Sequence, residues 1–297
     1  MSATRSYDAG PIKRERASRD EMRLRYDAIF AIVRRNQPTG IRFTYYTASA
    51  KGIVDKTDSG YVKVQRAMLD MRRSGRIPWH WIVDSTRWMR KPTTWGSVEE
   101  LLEDSASTYR RALWRDSDYL LEVWCESESV AGVLYPVTAK WDVPLYPIKG
   151  QTSDSFAYGA AQNYIDDLRE LVIFYVGDHD PAGYEIETNL HAKLMAHSGR
   201  TDITFKRMAC TEDDVARLSL FGTPPKKTNY VNALTGERVA WHGDAVEVEA
   251  IDPPLLRQWL DDWIAEYVPK RALEIAKLAE ESERQILRAF ASARRAK

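Results

Sequence analysis

Asp178 and Asp180 are the residues of this chain best placed to do chemistry. They stand one residue apart in LVIFYVGDHDPAGYEI, residues 171–186. Leu171 to Val176 is an unbroken apolar run rich in β-branched and aromatic residues, which predicts a buried and parallel strand. Pro181 and Gly183 punctuate the run, and a helical pattern follows from about Tyr184. Both aspartates therefore fall at the carboxyl end of a strand, where open α/β sheets bind ligands. Two carboxylates so close in a tight turn can face one hard cation. Mg²⁺ takes oxygen ligands, usually one or two of them carboxylates, and completes its shell with water and substrate phosphate. The competing account is a plain surface turn, since Asp, Pro and Gly form turns for reasons of their own.

A second segment, DYLLEVWCESESVAGVL (118–134), repeats the design. An apolar strand from Tyr119 to Cys125 ends in Glu126 and Glu128, and a helix-like stretch follows. The two acid-tipped strands lie about fifty residues apart, room for one or two βα units of a parallel sheet. Glu126, Asp178 and Asp180 can then meet at one sheet edge.

A glutamate at one strand end and D-x-D-P-x-G at a later one resemble the Toprim domain of topoisomerases, primases and some nucleases. The variant is most similar to the topoisomerase VI A-subunit group, which includes the meiotic double-strand-break transesterase, and within it to stand-alone phage- and prophage-associated members. STYRRALWRDSDYLLEVWCESES resembles the family's Y-R-x-x-x-W lead-in to an E-V-W-x-E strand, and VEVEAIDPPLLRQWL its V-E-L-D-A-L-P-P segment. The likeness covers roughly residues 21–290. It makes Glu126, Asp178 and Asp180 the expected Mg²⁺ ligands, with Mn²⁺ as a substitute, and Glu247 and Glu249 secondary metal or structural candidates. One departure stands beside the acids: where relatives often carry Lys after the first Glu, this chain has Ser127.

The elements that would bring a substrate to those acids lie in the first third. Residues 1–92 hold 20 lysines and arginines against 9 aspartates and glutamates, a net of +11 that the rest of a neutral chain balances with −11. Such asymmetry suggests a polyanion partner at the basic end, the alternative being that the two halves dock on one another. Helical patterns fit 21–36, 41–51 and 59–74, broken by QPTG, Gly52 and Gly75. RIPWHWIVDSTRW (76–88) alternates enough for a short hairpin. Three helices and a wing describe a winged helix-turn-helix whose third helix lies against double-stranded DNA. Lys63, Arg66 and Arg73 on that helix would meet phosphates, giving affinity rather than sequence choice. A solvated charged face would look the same.

RFTYYTA in the second helix resembles the family motif R-(D/E/Q)-x-(F/Y)-Y. The resemblance makes Tyr46 the nucleophile that attacks a phosphodiester, with Tyr45 the preceding aromatic and Arg42 the motif arginine. Phe43 departs from the usual acidic or amide residue. A phenol, with a pKa of about 10, needs a base, a cation or a metal to become reactive. Arg42, four residues earlier on the same helical face, could hold the phosphate and stabilise its developing charge. Tyr46 as a packing or DNA-contact residue is the alternative reading.

The expected fold is α/β with an α+β N-terminal part. A basic arm spans 1–20, a winged helix-turn-helix 21–92 and a linker with one helix 93–117. A Toprim domain (Rossmann-like, mainly parallel sheet) spans 118–250, and C-terminal helices 251–297. Within these, Ser97 and Glu100 suggest a capping box, 135–150 a strand with a Gly turn, and 224–244 a surface loop. Leu256, Trp259, Leu260, Trp263, Ile264 and Tyr267 keep helical spacing and form either core or a dimer surface.

Composition narrows the function. No apolar run approaches a membrane span, and the polar start is not a secretory signal. Two cysteines make no disulfide framework, and five histidines lack zinc-ligand spacing. There is no P-loop or dinucleotide glycine motif. The expectation is a cytoplasmic, nucleoid-associated enzyme of a bacterial or phage-infected cell. It would be a homodimer that cleaves DNA by Mg²⁺-dependent tyrosine transesterification, with any ATPase supplied by a separate subunit. The rivals are a hydrolytic Toprim nuclease of the defence type and a non-catalytic DNA-binding or recombination accessory protein.

Overall fold

Ser18 opens the first helix with a capping box: its hydroxyl accepts from Glu21 N–H (3.2 Å), and the Glu21 carboxylate accepts from Ser18 N–H (2.7 Å). The computed structural model describes residues 18–82, 92–268 and 271–295, so the first seventeen residues of the expected arm, and residues 83–88 of the expected wing, lie outside the described residues. Helix α1 (Arg19–Asn36) packs with α2 (Ile41–Ala50) and α3 (Asp58–Arg73) around Ile29, Val33, Tyr45, Ala48, Val64, Met68 and Met71. A 3₁₀ turn at Trp79–Trp81 and a bridge between Thr39 and Ile82 close this three-helix unit. Lys63, Arg66 and Arg73 all lie on the exposed side of α3.

Next come α4 (Val98–Thr108), β1 (Tyr119–Cys125), α5 (Glu128–Trp141), β2 (Leu145–Pro147), α6 (Asp154–Ala161), β3 (Glu170–Val176), α7 (Pro181–Ser198), β4 (Thr204–Ala209) and α8 (Glu212–Arg217). A hairpin of β5 (Asn229–Val231) and β6 (Arg238–Ala240), then α9 (Pro253–Ala265) and α10 (Ala272–Arg295), complete the described chain. Ser97 caps α4, but Glu100 accepts from Gly96 N–H (2.7 Å) rather than closing the box on Ser97.

Four strands form an all-parallel sheet in the order β2-β1-β3-β4. The chain therefore leaves β1 toward one side and returns as β3 on the other, so the strand order reverses between β1 and β3. The carboxyl ends of the strands flanking that reversal are where an open α/β sheet has its ligand crevice. Alternate residues of each strand feed two cores. Val123, Cys125, Val172, Phe174 and Val176 pack under α5 and α9, while Trp124, Leu171, Ile173 and Tyr175 pack under α6 and α7. The apolar stripe of α9 is core: Leu256, Leu260 and Ile264 are fully buried against the sheet. The C-terminal helices thus divide, α9 completing the sheet's core while α10 lies along α4, where Tyr109 donates to Glu283 (2.8 Å).

The strand expected within 135–150 is β2, only three residues long and preceded by Pro144, and Gly150 has the positive φ of a turn glycine; residues 135–141 before it continue α5, which carries Pro136 inside it. One segment differs from expectation. The 224–244 segment is a short antiparallel hairpin rather than an open loop. No helix among the described residues is long and apolar enough to cross a membrane.

Candidate active site

The register of the sheet sets the geometry. Cys125 of β1 pairs with Val176 of β3, so Glu126 and Asp178 leave adjacent strands almost level. Asp178 N–H donates to Glu126 Oε2 (3.1 Å). A third strand-like segment then runs past the turn: His179 N–H donates to Val246 O (2.8 Å), and Val246 N–H returns a bond to His179 O (3.0 Å). This pairing delivers residues 247–249 to the strand ends. Val248 N–H donates to Asp178 Oδ1 (2.8 Å), and Glu249 is buried beside it. Glu126, Glu128, Asp178 and Glu249 line one cleft of about 440 Å³ together with Arg42, Ser127 and Lys149.

Asp180 behaves differently. It is the N-cap of α7, its Oδ1 accepting from Gly183 N–H (2.6 Å), with Pro181 at the first helical position. It stands near enough to raise the pKa of both Glu126 and Asp178 but is not part of the cleft lining. The glycine of D-x-D-P-x-G has a steric reason, because a Cβ at Gly183 would lie 2.3 Å from Asp178 O. Gly183→Ala should therefore destabilise the chain by about 1–3 kcal/mol, although alanine ordinarily gains roughly 1 kcal/mol over glycine within a helix. Urea unfolding of the two proteins measures it, and an alanine variant as stable as the parent would refute the steric reading.

Arg207 of β4 holds the acid-bearing turn from behind. Its guanidinium donates to the carbonyls of Gly177 (2.9 Å), Asp178 (3.1 Å) and Cys210 (3.2 Å) and to Glu187 (2.6 Å), and stacks 4.0 Å from the Tyr184 ring centre. Sequence reasoning had no signal for it, since a lone arginine at a strand end looks like solvent-facing charge. Lys149 was missed for the same reason; it lies 3.1 Å from Glu128 and brings a cation to the cleft where position 127 does not. Ser127 itself caps α5, accepting from Val130 N–H (3.1 Å).

The electrostatics follow from crowding. Burial and the neighbouring Asp178 push Glu126 well above the usual carboxylate range; burial and Asp178 do the same to Glu249. Burial raises Asp178 as well, opposed by the Val248 hydrogen bond. Burial alone would lower Arg42, but Glu249 and Glu247 outweigh it and hold the guanidinium above its ordinary value. Like charges gathered in a partly dry cleft favour either protons or a cation. The donor set is all oxygen and suits Mg²⁺ or Mn²⁺ by type. As placed, no group of three His, Cys, Asp or Glu side chains among the described residues is arranged to hold a metal ion. Two carboxylates with water and phosphate would suffice for Mg²⁺.

Helix α2 connects the two halves of the molecule. Tyr45 and Ala48 pack into the three-helix core and Phe43 into the sheet's core. From this joint Arg42 reaches the cleft, 3.0 Å from Glu247 and 3.7 Å from Glu249. Tyr46, one turn on, lines a separate cavity of about 530 Å³ with Ser49, Lys56, Phe221 and Leu255. The Lys56 ammonium lies 5.4 Å from the Tyr46 ring centre. Of the residues singled out from sequence, Arg42, Glu126 and Asp178, together with the secondary candidate Glu249, thus share one cleft, and Glu247 pairs with Arg42 beside it. Asp180 borders it, Tyr46 opens next door, and Lys63, Arg66 and Arg73 lie on α3.

Compared with known proteins, the chain matches no family model, and no curated protein matches it.

Proposed function

We propose that this protein cleaves double-stranded DNA with Mg²⁺, as a Toprim protein resembling the topoisomerase VI A-subunit group, and that its three-helix unit is a winged-helix DNA-binding element. The observation that carries the reading is the reach of Arg42 into the cleft of Glu126, Asp178 and Glu249. The helix bearing the candidate nucleophile is thereby tied to the acids at the sheet's switch point, and nothing in either half alone requires that contact.

In this reading the basic face of α3, with Lys63, Arg66 and Arg73, meets the DNA backbone. Glu126 and Asp178, with Glu249 beside them, would hold Mg²⁺, which when bound neutralises charge on the scissile phosphate. Arg42 orients that phosphate through paired N–H donors. Tyr46 loses its phenolic proton and its oxygen bonds to phosphorus as the bond from phosphorus to one deoxyribose oxygen breaks. The departing oxygen takes a proton and leaves as a hydroxyl. The phosphodiester is conserved as a tyrosyl ester, so resealing needs no energy source.

Tyr46 and the acids line different cavities of one chain. This favours a homodimer in which tyrosine from one protomer serves the acids of its partner. Strand passage would then call on a separate ATPase subunit. The same observation supports a second reading, a hydrolytic Toprim nuclease in which water attacks and Tyr46 is dispensable. In either case the substrate would be DNA within a bacterial or phage-infected cell.

Supercoiled plasmid incubated with the protein and Mg²⁺ or Mn²⁺, then denatured with and without protease, separates the two. Transesterification predicts nicked or linear DNA carrying protein until protease removes it, with the adduct lost in Tyr46→Phe. Protein-free cuts that survive Tyr46→Phe would establish hydrolysis. Intact plasmid under all conditions would remove cleavage by the chain alone.

A further inference from the structure

The arginine that reaches the acid cleft is already engaged there. Arg42 Nη2 donates to Glu247 Oε2 at 3.0 Å, and its Nε lies 3.7 Å from Glu249 Oε1. Glu249 has a side chain only 3% exposed, and it also accepts from the Ser127 hydroxyl at 3.4 Å. Across the cleft, Lys149 pairs with Glu128 at 3.1 Å. Two of the four acids lining the cleft therefore face a resident cation, while Glu126 and Asp178 face each other through a main-chain hydrogen bond. A guanidinium held against Glu249 and a divalent cation held by Glu249 or Asp178 would occupy the same small, partly desolvated space, where repulsion between cations is strong.

We propose that Arg42 is the cleft's internal counter-ion, displaced when a divalent cation binds and thereby freed to hold the substrate phosphate. The inference rests on the metal reading of the cleft given above and adds its regulation. An arginine tied to Glu247 and Glu249 cannot also grip a phosphate in bidentate fashion, so the protein without metal withholds its phosphate contact. Metal binding reverses this without moving α2. Phe43, Thr44, Tyr45 and Ala48 anchor the helix in both cores, whereas the Arg42 side chain is 47% exposed and has room to swing. Linkage makes the exchange reciprocal: if the ion weakens the hold on Arg42, Arg42 weakens the hold on the ion by the same factor. A second-sphere arginine that only oriented Glu249 would do the opposite and strengthen metal binding.

Calorimetric titration of the full chain with Mn²⁺ decides between them, without recourse to cleavage. Arg42→Gln should bind Mn²⁺ at least about fivefold tighter than the parent, within the usual range of coupling between sites. Tighter binding in the variant, or binding in the variant where the parent binds none, supports the exchange. Equal or weaker binding in Arg42→Gln at an unchanged melting temperature overturns it and leaves the metal reading standing. No Mn²⁺ binding by either protein removes both. A duplex-binding assay gives the second arm, with Arg42→Gln expected to weaken DNA binding by a larger factor when Mn²⁺ is present than when it is withheld. An equal loss in both conditions would also overturn the exchange.

Discussion

Asp178→Ala is expected to lower Mg²⁺-dependent plasmid cleavage by about 10²–10³-fold, the usual effect of deleting one group that stabilises charge in a transition state. Asp178 is chosen over its neighbours because of its position. It leaves β3 at the switch point, lines the cleft, and is level with Glu126 through the hydrogen bond from its own N–H. Unfolding should not confound the result, because two effects of the substitution oppose one another. Val248 N–H loses its acceptor, a cost of about 1–3 kcal/mol if it stays dry. Against that, an acid crowded by Asp180 and Glu126 is removed. Urea unfolding run beside the plasmid assay tests that balance. Cleavage at the parental rate by a folded Asp178→Ala protein would take the acids out of the mechanism. Asp180→Ala is the instructive comparison, since it also deletes the cap of α7 and should cost about 1 kcal/mol of stability.

Much of the scaffold was legible because its signals are local. Leu171–Val176 read as a buried strand from an unbroken apolar run and Tyr119–Cys125 from a run interrupted only by Glu122, and both are central strands of the sheet. Helices α2 and α3 were legible from spacing and from Gly52 and Gly75, both of which have positive φ. Short elements were harder to see. The strand β2 is only three residues, Leu145–Pro147, preceded by Pro144, and the helix before it runs through Pro136. The membership of the cleft was least legible, because it depends on pairing across long sequence separations. Glu249 enters it only because Val246 pairs with His179, and Arg207 steadies it only because β4 lies beside β3. No periodicity within residues 204–209 or 246–249 carries that information.

Glu122→Gln should stabilise the protein by about 3 kcal/mol above pH 7 and change little near pH 4. Glu122 sits in the middle of β1 on the side facing α6, almost wholly buried. Trp124 Nε1–H donates to its Oε2 at 2.8 Å, and the Tyr164 hydroxyl donates to the same oxygen. Burial pushes its pKa up to about 7, opposed by the Tyr164 and Trp124 hydrogen bonds. Below the unfolded value both states hold the proton and nothing is lost. As pH rises from about 4.5 to 7, the unfolded chain releases its proton while the folded chain keeps it, so stability falls throughout that window and levels off above it. Glutamine keeps an acceptor for Tyr164 and Trp124 and never ionises, so the variant escapes this loss. Glu126 and Glu249 are raised for similar reasons and impose a slope over the same pH range on both proteins, so the difference between parent and variant isolates Glu122. Unfolding free energies at pH 4 and pH 8 supply the test. A difference that does not grow with pH would mean that Glu122 is ionised in the fold, its charge carried by the hydroxyl and indole donors around it. A difference that grows as expected would identify a neutral acid at the centre of the sheet, whose hydroxyl donor ties β1 to the turn that follows α6 at a cost in stability that the chain bears at neutral pH.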